Sequence, residues 1–122
     1  SALLLLSDTN AASAAILDHA DISIGAVDSA GTQVAIGGNS KDAVTTSASM
    51  NFIASAVVYR KYTVGTTTLV EEVTFVSFNA DGFTLNEATA DGTAKQIIYL
   101  AMGVASVAVN SLSSLSLTGV GN

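Results

Sequence analysis

An all-β fold, a jelly-roll-like antiparallel β-sandwich of about eight strands, is what the sequence predicts, on three observations. Apolar residues recur at every second position in one short run after another, and the runs are separated by Gly, Asn, Asp and Ser. The single stretch of good helix formers, residues 11–19, is too short to hold a helix by itself. Of 122 residues 49% are hydrophobic and only 11% charged, which suits strands packed closely into one domain spanning 1–122.

The first run, Leu3 to Leu6, is a continuous apolar stretch closed by Ser-Asp-Thr-Asn, the pattern of a buried strand. It is far too short to span a bilayer, which needs about 20 apolar residues, so no membrane insertion is expected. The chain starts without Met, which suits a removed leader or a piece of something longer. Residues 21–27 and 32–36 form a hairpin candidate, with Ile22, Ile24 and Ala26 alternating before Asp28-Ser29-Ala30-Gly31 and Val34 and Ile36 continuing after it.

Residues 37–51, GGNSKDAVTTSASMN, read as a long surface loop with room for a short strand, and as the first place to seek a partner contact. Residues 52–63 return to strand character with both faces apolar, which predicts one central strand. Gly65 marks a turn, and 67–78 is the next strand, where the adjacent Glu71 and Glu72 break the alternation and predict a bulge or a solvent-facing end. Asp81-Gly82 leads to a strand from Phe83, and Asp91-Gly92 is a hairpin signal before residues 95–102. In that last run Tyr99 is expected in the core. Two further short strands are expected in 104–122.

Ten acidic against four basic residues give a net charge of −6, which disfavours nucleic acid and anionic membrane surfaces. Cysteine is absent, so no disulfide or thiolate metal site exists. His19 stands alone among histidines beside Asp18 and Asp21, too few ligands for a zinc site. Asp8, Asp28, Asp42, Asp81 and Asp91 sit in turns without the spacing of a calcium loop, and turn formation accounts for them. Glu71 or Glu72 with Glu87 is one example of an acid pair for glycoside hydrolysis, but surface acids explain them more simply, and a lone His makes a poor triad. No enzyme and no cofactor is expected. Tyr59, Tyr62 and Tyr99 are the stacking platforms a carbohydrate or receptor-binding module would use, in a chain that is 6% aromatic with no Trp.

Residues 73–103, VTFVSFNADGFTLNEATADGTAKQIIYLAMG, resemble the "SFDADGFTLNWTTADATARxxxYLALGG" signature of structural proteins of tailed bacteriophages and prophages. The resemblance extends to residues 2–7, similar to that family's "KALILWS", and to 23–43, similar to its "SIGAATSATSRAAVGVSSEDA". Glu87 stands where the pattern has Trp, and Met102-Gly103-Val104 replaces Leu-Gly-Gly. The resemblance implies a non-enzymatic virion subunit of capsid-decoration, head or tail-fibre type, with copies of itself and other virion proteins as partners, in a virion or extracellular setting. A cellular filament or surface-layer subunit shares the same composition.

The family's usual first strand, "GNVSVTGVGF", is missing ahead of Ser1, yet residues 115–122, LSLTGVGN, resemble it. Placed head to tail, Leu115, Leu117 and Val120 would pair with Leu3, Leu4, Leu5 and Leu6 to rebuild one hairpin. Either the strand folds back on its own chain, or it completes a neighbour by strand addition, or the chain is one unit of a tandem array.

Overall fold

The computed structural model describes residues 1–8, 19–42, 45–46 and 48–103 as an all-β structure of eight strands in two antiparallel sheets. The strands are β1 (Ala2–Asp8), β2 (His19–Val27), β3 (Gln33–Lys41), β4 (Ala48–Ser55), β5 (Tyr59–Tyr62), β6 (Leu69–Phe78), β7 (Phe83–Thr89) and β8 (Ile98–Met102). The larger sheet has the order β4-β3-β2-β1-β8, the smaller β5-β6-β7. The sandwich therefore consists of two meanders, with β8 returning to lie beside β1.

The β2–β3 hairpin forms where the alternation and the turn residues predict it. Asp28 Oδ1 accepts from the backbone N–H of Ala30 at 2.9 Å and of Thr32 at 2.8 Å, and Gly31 takes φ +83°. These donors, the Thr32 bond foremost, hold the Asp28 carboxyl below its usual range. The loop expected over 37–51 is much shorter than that, because β3 runs on through Gly37 and Gly38 to Lys41 and β4 begins at Ala48. The two glycines lower strand propensity in the sequence, but here they are needed: a Cβ on Gly37 would lie 2.2 Å from the Ile22 carbonyl oxygen.

The single central strand expected over 52–63 is instead two strands in different sheets. Ala56, at φ +62°, turns the chain out of β4, its N–H bonded to the Gln33 carbonyl at 3.1 Å. Val57, Val58 and Tyr59 then cross to the smaller sheet, all buried, so the apolar character of both faces records a crossover through the core. Asp91-Gly92 likewise makes no hairpin. Gly92 has φ +72°, but β7 pairs with β6 while β8 pairs with β1, so the segment is a link between sheets.

The core lies between the sheets, with Leu3, Leu5, Val27, Val58, Tyr59, Val73 and Phe75 in one cluster and Ala35, Ala54 and Val57 in a second. Phe78, Phe83 and Leu85 pack on the first, Phe52 on the second. β5 ends its ladder opposite Val73, where Val58 N–H donates to the Val73 carbonyl at 2.9 Å. Two residues further on, the Gln33 side chain substitutes for a strand: its Oε1 accepts from Phe75 N–H at 2.7 Å and its Nε2 donates to the Phe75 carbonyl at 2.9 Å. The bulge foreseen near Glu71-Glu72 is present as register shifts on both ladders of β6, between Lys61 and Tyr62 and between Glu72 and Val73.

Candidate functional site

Three features outside ordinary core packing stand out: an ion cluster, an open strand edge and an apolar sheet face. The ion cluster is built by β5, β6 and the β7–β8 link. Lys95 Nζ contacts Asp91 Oδ2 at 2.7 Å and Oδ1 at 3.0 Å, and lies 3.9 Å from Glu71 Oε2, with both Lys95 and Glu71 largely buried. Lys61 Nζ adds a longer contact to Asp91 at 3.5 Å, and Tyr59 O–H donates to Glu71 Oε2 at 3.3 Å. Hydrogen bonds from Lys95 hold the Asp91 carboxyl at about 2. Burial, then the charge of Asp91, raises Glu71; burial, then Glu71, pushes the Tyr59 hydroxyl well above its usual range.

These shifts have opposite consequences for folding. Asp91, lowered from 3.8, contributes stability that is present above pH 4 and fades as the pH falls towards 2. Glu71, raised, opposes folding increasingly as the pH rises through and above its ordinary 4.5. Lys95→Met is therefore expected to lower stability by about 1–3 kcal/mol at neutral pH, by stranding Asp91 and Glu71 together. Denaturant titrations at neutral pH and near pH 3 should show that deficit shrinking in acid. A deficit of equal size at both pH values would refute the ion-pair account. The cluster ties the β7–β8 link to the smaller sheet.

The open edge belongs to β8. One side of this strand pairs with β1, and no described strand lies on the other. All five of its residues are exposed, Tyr99 to 61%, which corrects the expectation that Tyr99 sits in the core. Its ring meets Phe83 of β7 edge-on, at 5.1 Å between centroids. Ahead of β8 in the chain, Ile97 lines a cleft of about 450 Å³ together with Val73, Leu85, Glu87 and Ala94. Among the described strands the smaller sheet also stops at β7, on the side where Phe83 of β7 meets Tyr99 of β8.

β1 is not at an edge. Its Leu3 and Leu5 are core residues, while Leu4 and Leu6 are exposed on the opposite face, so only half of the apolar run is buried. Both ladders of β1 are occupied, by β2 and by β8. Pairing of residues 115–122 beside Leu3 to Leu6 has no edge to use in this arrangement, because the chain's own β8 already holds that place. Leu115, Leu117 and Val120, with Asp18, lie outside the described residues.

The apolar face is the outward surface of the larger sheet. Strand register places Ile98, Leu6, Ile24, Ile36 and Ile53 in one row across all five strands, and Leu100, Leu4, Ala26 and Val34 in the next. Ile53 is 78% and Ile98 72% exposed. The outward face of the smaller sheet differs in kind: Arg60 Nε bonds Glu72 Oε2 at 2.6 Å and Thr74 Oγ1 bonds the Asn86 carbonyl at 3.4 Å. The apolar row follows from the alternation of each strand taken together with the strand register.

Of the other sequence candidates, Tyr59 is buried and Tyr62 stacks on Phe52 at 5.3 Å, so the three tyrosines share no surface. Asp28 and Asp91 serve turns and Lys95, and among the described residues no group of three or more His, Cys, Asp or Glu is placed to hold a metal ion. No helix among them is long and apolar enough to cross a membrane. No family model, curated protein or solved structure matches the chain.

Proposed function

We propose that this chain is a non-enzymatic structural subunit that polymerises by strand addition, a neighbour's residues 115–122 completing the sandwich at β8. The observation that carries this reading is the outer edge of β8: an exposed apolar strand with no described strand on that side, next in the chain to Ile97 of a cleft that Leu85 also lines. Such an edge is a template for another strand, and a donor supplies ladder hydrogen bonds and alternate apolar side chains together. Leu115, Leu117 and Val120 give the donor its apolar positions. The resemblance of residues 73–103 to phage structural proteins supports a virion as the setting; an extracellular filament of a cell would use the same contacts.

Leu117→Asp is expected to convert large assemblies into small species, while far-UV circular dichroism keeps its β signature. Light scattering coupled to size-exclusion chromatography measures this. A truncated chain ending at Gly103 should behave likewise and bind an added peptide of residues 113–120. Wild-type assemblies that survive both changes, or a wild type that never exceeds a monomer or dimer, would remove the strand-addition reading.

A further inference from the structure

We propose that the outer face of the larger sheet seats a second copy of this chain, packed sheet against sheet. This extends the self-assembly reading to a different surface, and the two interfaces can fail separately. Nine large apolar residues stand exposed on this face. With each keeping about half of its surface, they present on the order of 800 Å², above the roughly 300–600 Å² of the largest patch on a typical monomer. That is also about the area one partner contributes to a standard stable interface.

The face is as wide as the whole sheet: five strands at about 4.8 Å spacing span roughly 20 Å.

A second copy offers a matching surface. Its face is equally flat, equally apolar and equally wide, and two such faces pack about 10 Å apart with side chains interdigitated. Charge does not oppose the contact despite a net −6 on each chain, because neither of the two rows through Leu4 and Leu6 holds a charged residue. A face-to-face pair related by a two-fold axis would also present each copy's β8 edge outward, compatible with strand addition.

The test is sedimentation equilibrium of the full-length Leu117→Asp chain, in which strand addition is blocked, from about 1 to 100 µM. A dimer is expected. Adding Ile53→Glu, at a position so exposed that a carboxylate costs the single chain little, should weaken it by at least ~100-fold without changing circular dichroism. Val76→Glu, on the outward face of the smaller sheet, should leave it unchanged. A monomer at every concentration, or a dimer as tight with Ile53→Glu as without, overturns the proposal. So does a dimer that appears only after residues 104–122 are deleted, since that segment would then be the cover. A monomer that binds neutral lipid vesicles through this face overturns it in favour of a lipid surface.

Discussion

Gly25→Ala is expected to cost about 3 kcal/mol or more, lowering the melting temperature by roughly 10 °C or more, with no loss of any hydrogen-bonding or charged group. Gly25 lies in β2 on the face towards the core, at the point where the chain crosses between sheets. A Cβ there would stand 1.7 Å from the carbonyl oxygen of Val58 and 2.6 Å from its carbon. Those are backbone atoms of the crossover, and they have no rotamer by which to move aside. Relief requires β2 to separate from the Val57–Val58–Tyr59 segment, whose three residues are among the most buried in the structure. Gly82→Ala is the control: nothing lies within 4 Å of a Cβ there, so its effect should stay within about 0.5 kcal/mol. Calorimetry of the two variants decides it, and equal effects would mean that the close approach at Gly25 is not what fixes the crossover.

That glycine also shows where sequence reasoning stops. Alternation in 21–27 correctly gave the strand, because period two is a local property, and the Asp28 turn was readable from side chains that bond their own backbone. Gly25 carries no such local mark, since what requires it is the Val58 carbonyl, 33 positions later in the chain. The same limit explains the split of 52–63. Ala56 and the residues around it have ordinary strand composition, and only the positive φ at Ala56 reveals the turn into the second sheet. Of the two Asp-Gly pairs, Gly92 has a positive φ and Gly82 does not, although their local sequences look alike.

For the candidate site the division is similar. Leu3, Leu4, Leu5 and Leu6 were recognisable as a strand, and the structure sends alternate members to opposite faces, two to the core and two to the apolar surface. That β8 rather than residues 115–122 would occupy the place beside β1 depends on a long-range pairing, which no local pattern encodes. A sequence that names two apolar strands does not say which is central. The open edge therefore lies on Ile98–Met102, and the leucine run is interior to the sheet.

Phe75→Ala is expected to cost about 3–5 kcal/mol, the loss of a buried ring together with the cavity it leaves. Phe75 is 9% exposed in the larger core cluster, tilted against Phe78 at 4.6 Å between centroids. Its backbone is fixed independently, because Gln33 bonds both its N–H and its carbonyl, so the substitution removes side-chain packing and leaves those bonds in place. The walls around it come from both sheets, with Leu3, Leu5 and Val27 on one and Val73 on the other, and rigid β-ladders limit how far they can close. The neighbouring Val76→Ala, on the outward face and 57% exposed, should cost under about 1 kcal/mol. Urea titrations of both, in a chain carrying Leu117→Asp and Ile53→Glu so that neither polymer nor dimer masks unfolding, give the comparison. Similar costs for the two would mean that the sheets are not packed through Phe75, and the inward assignment of the β6 alternation would have to be reversed.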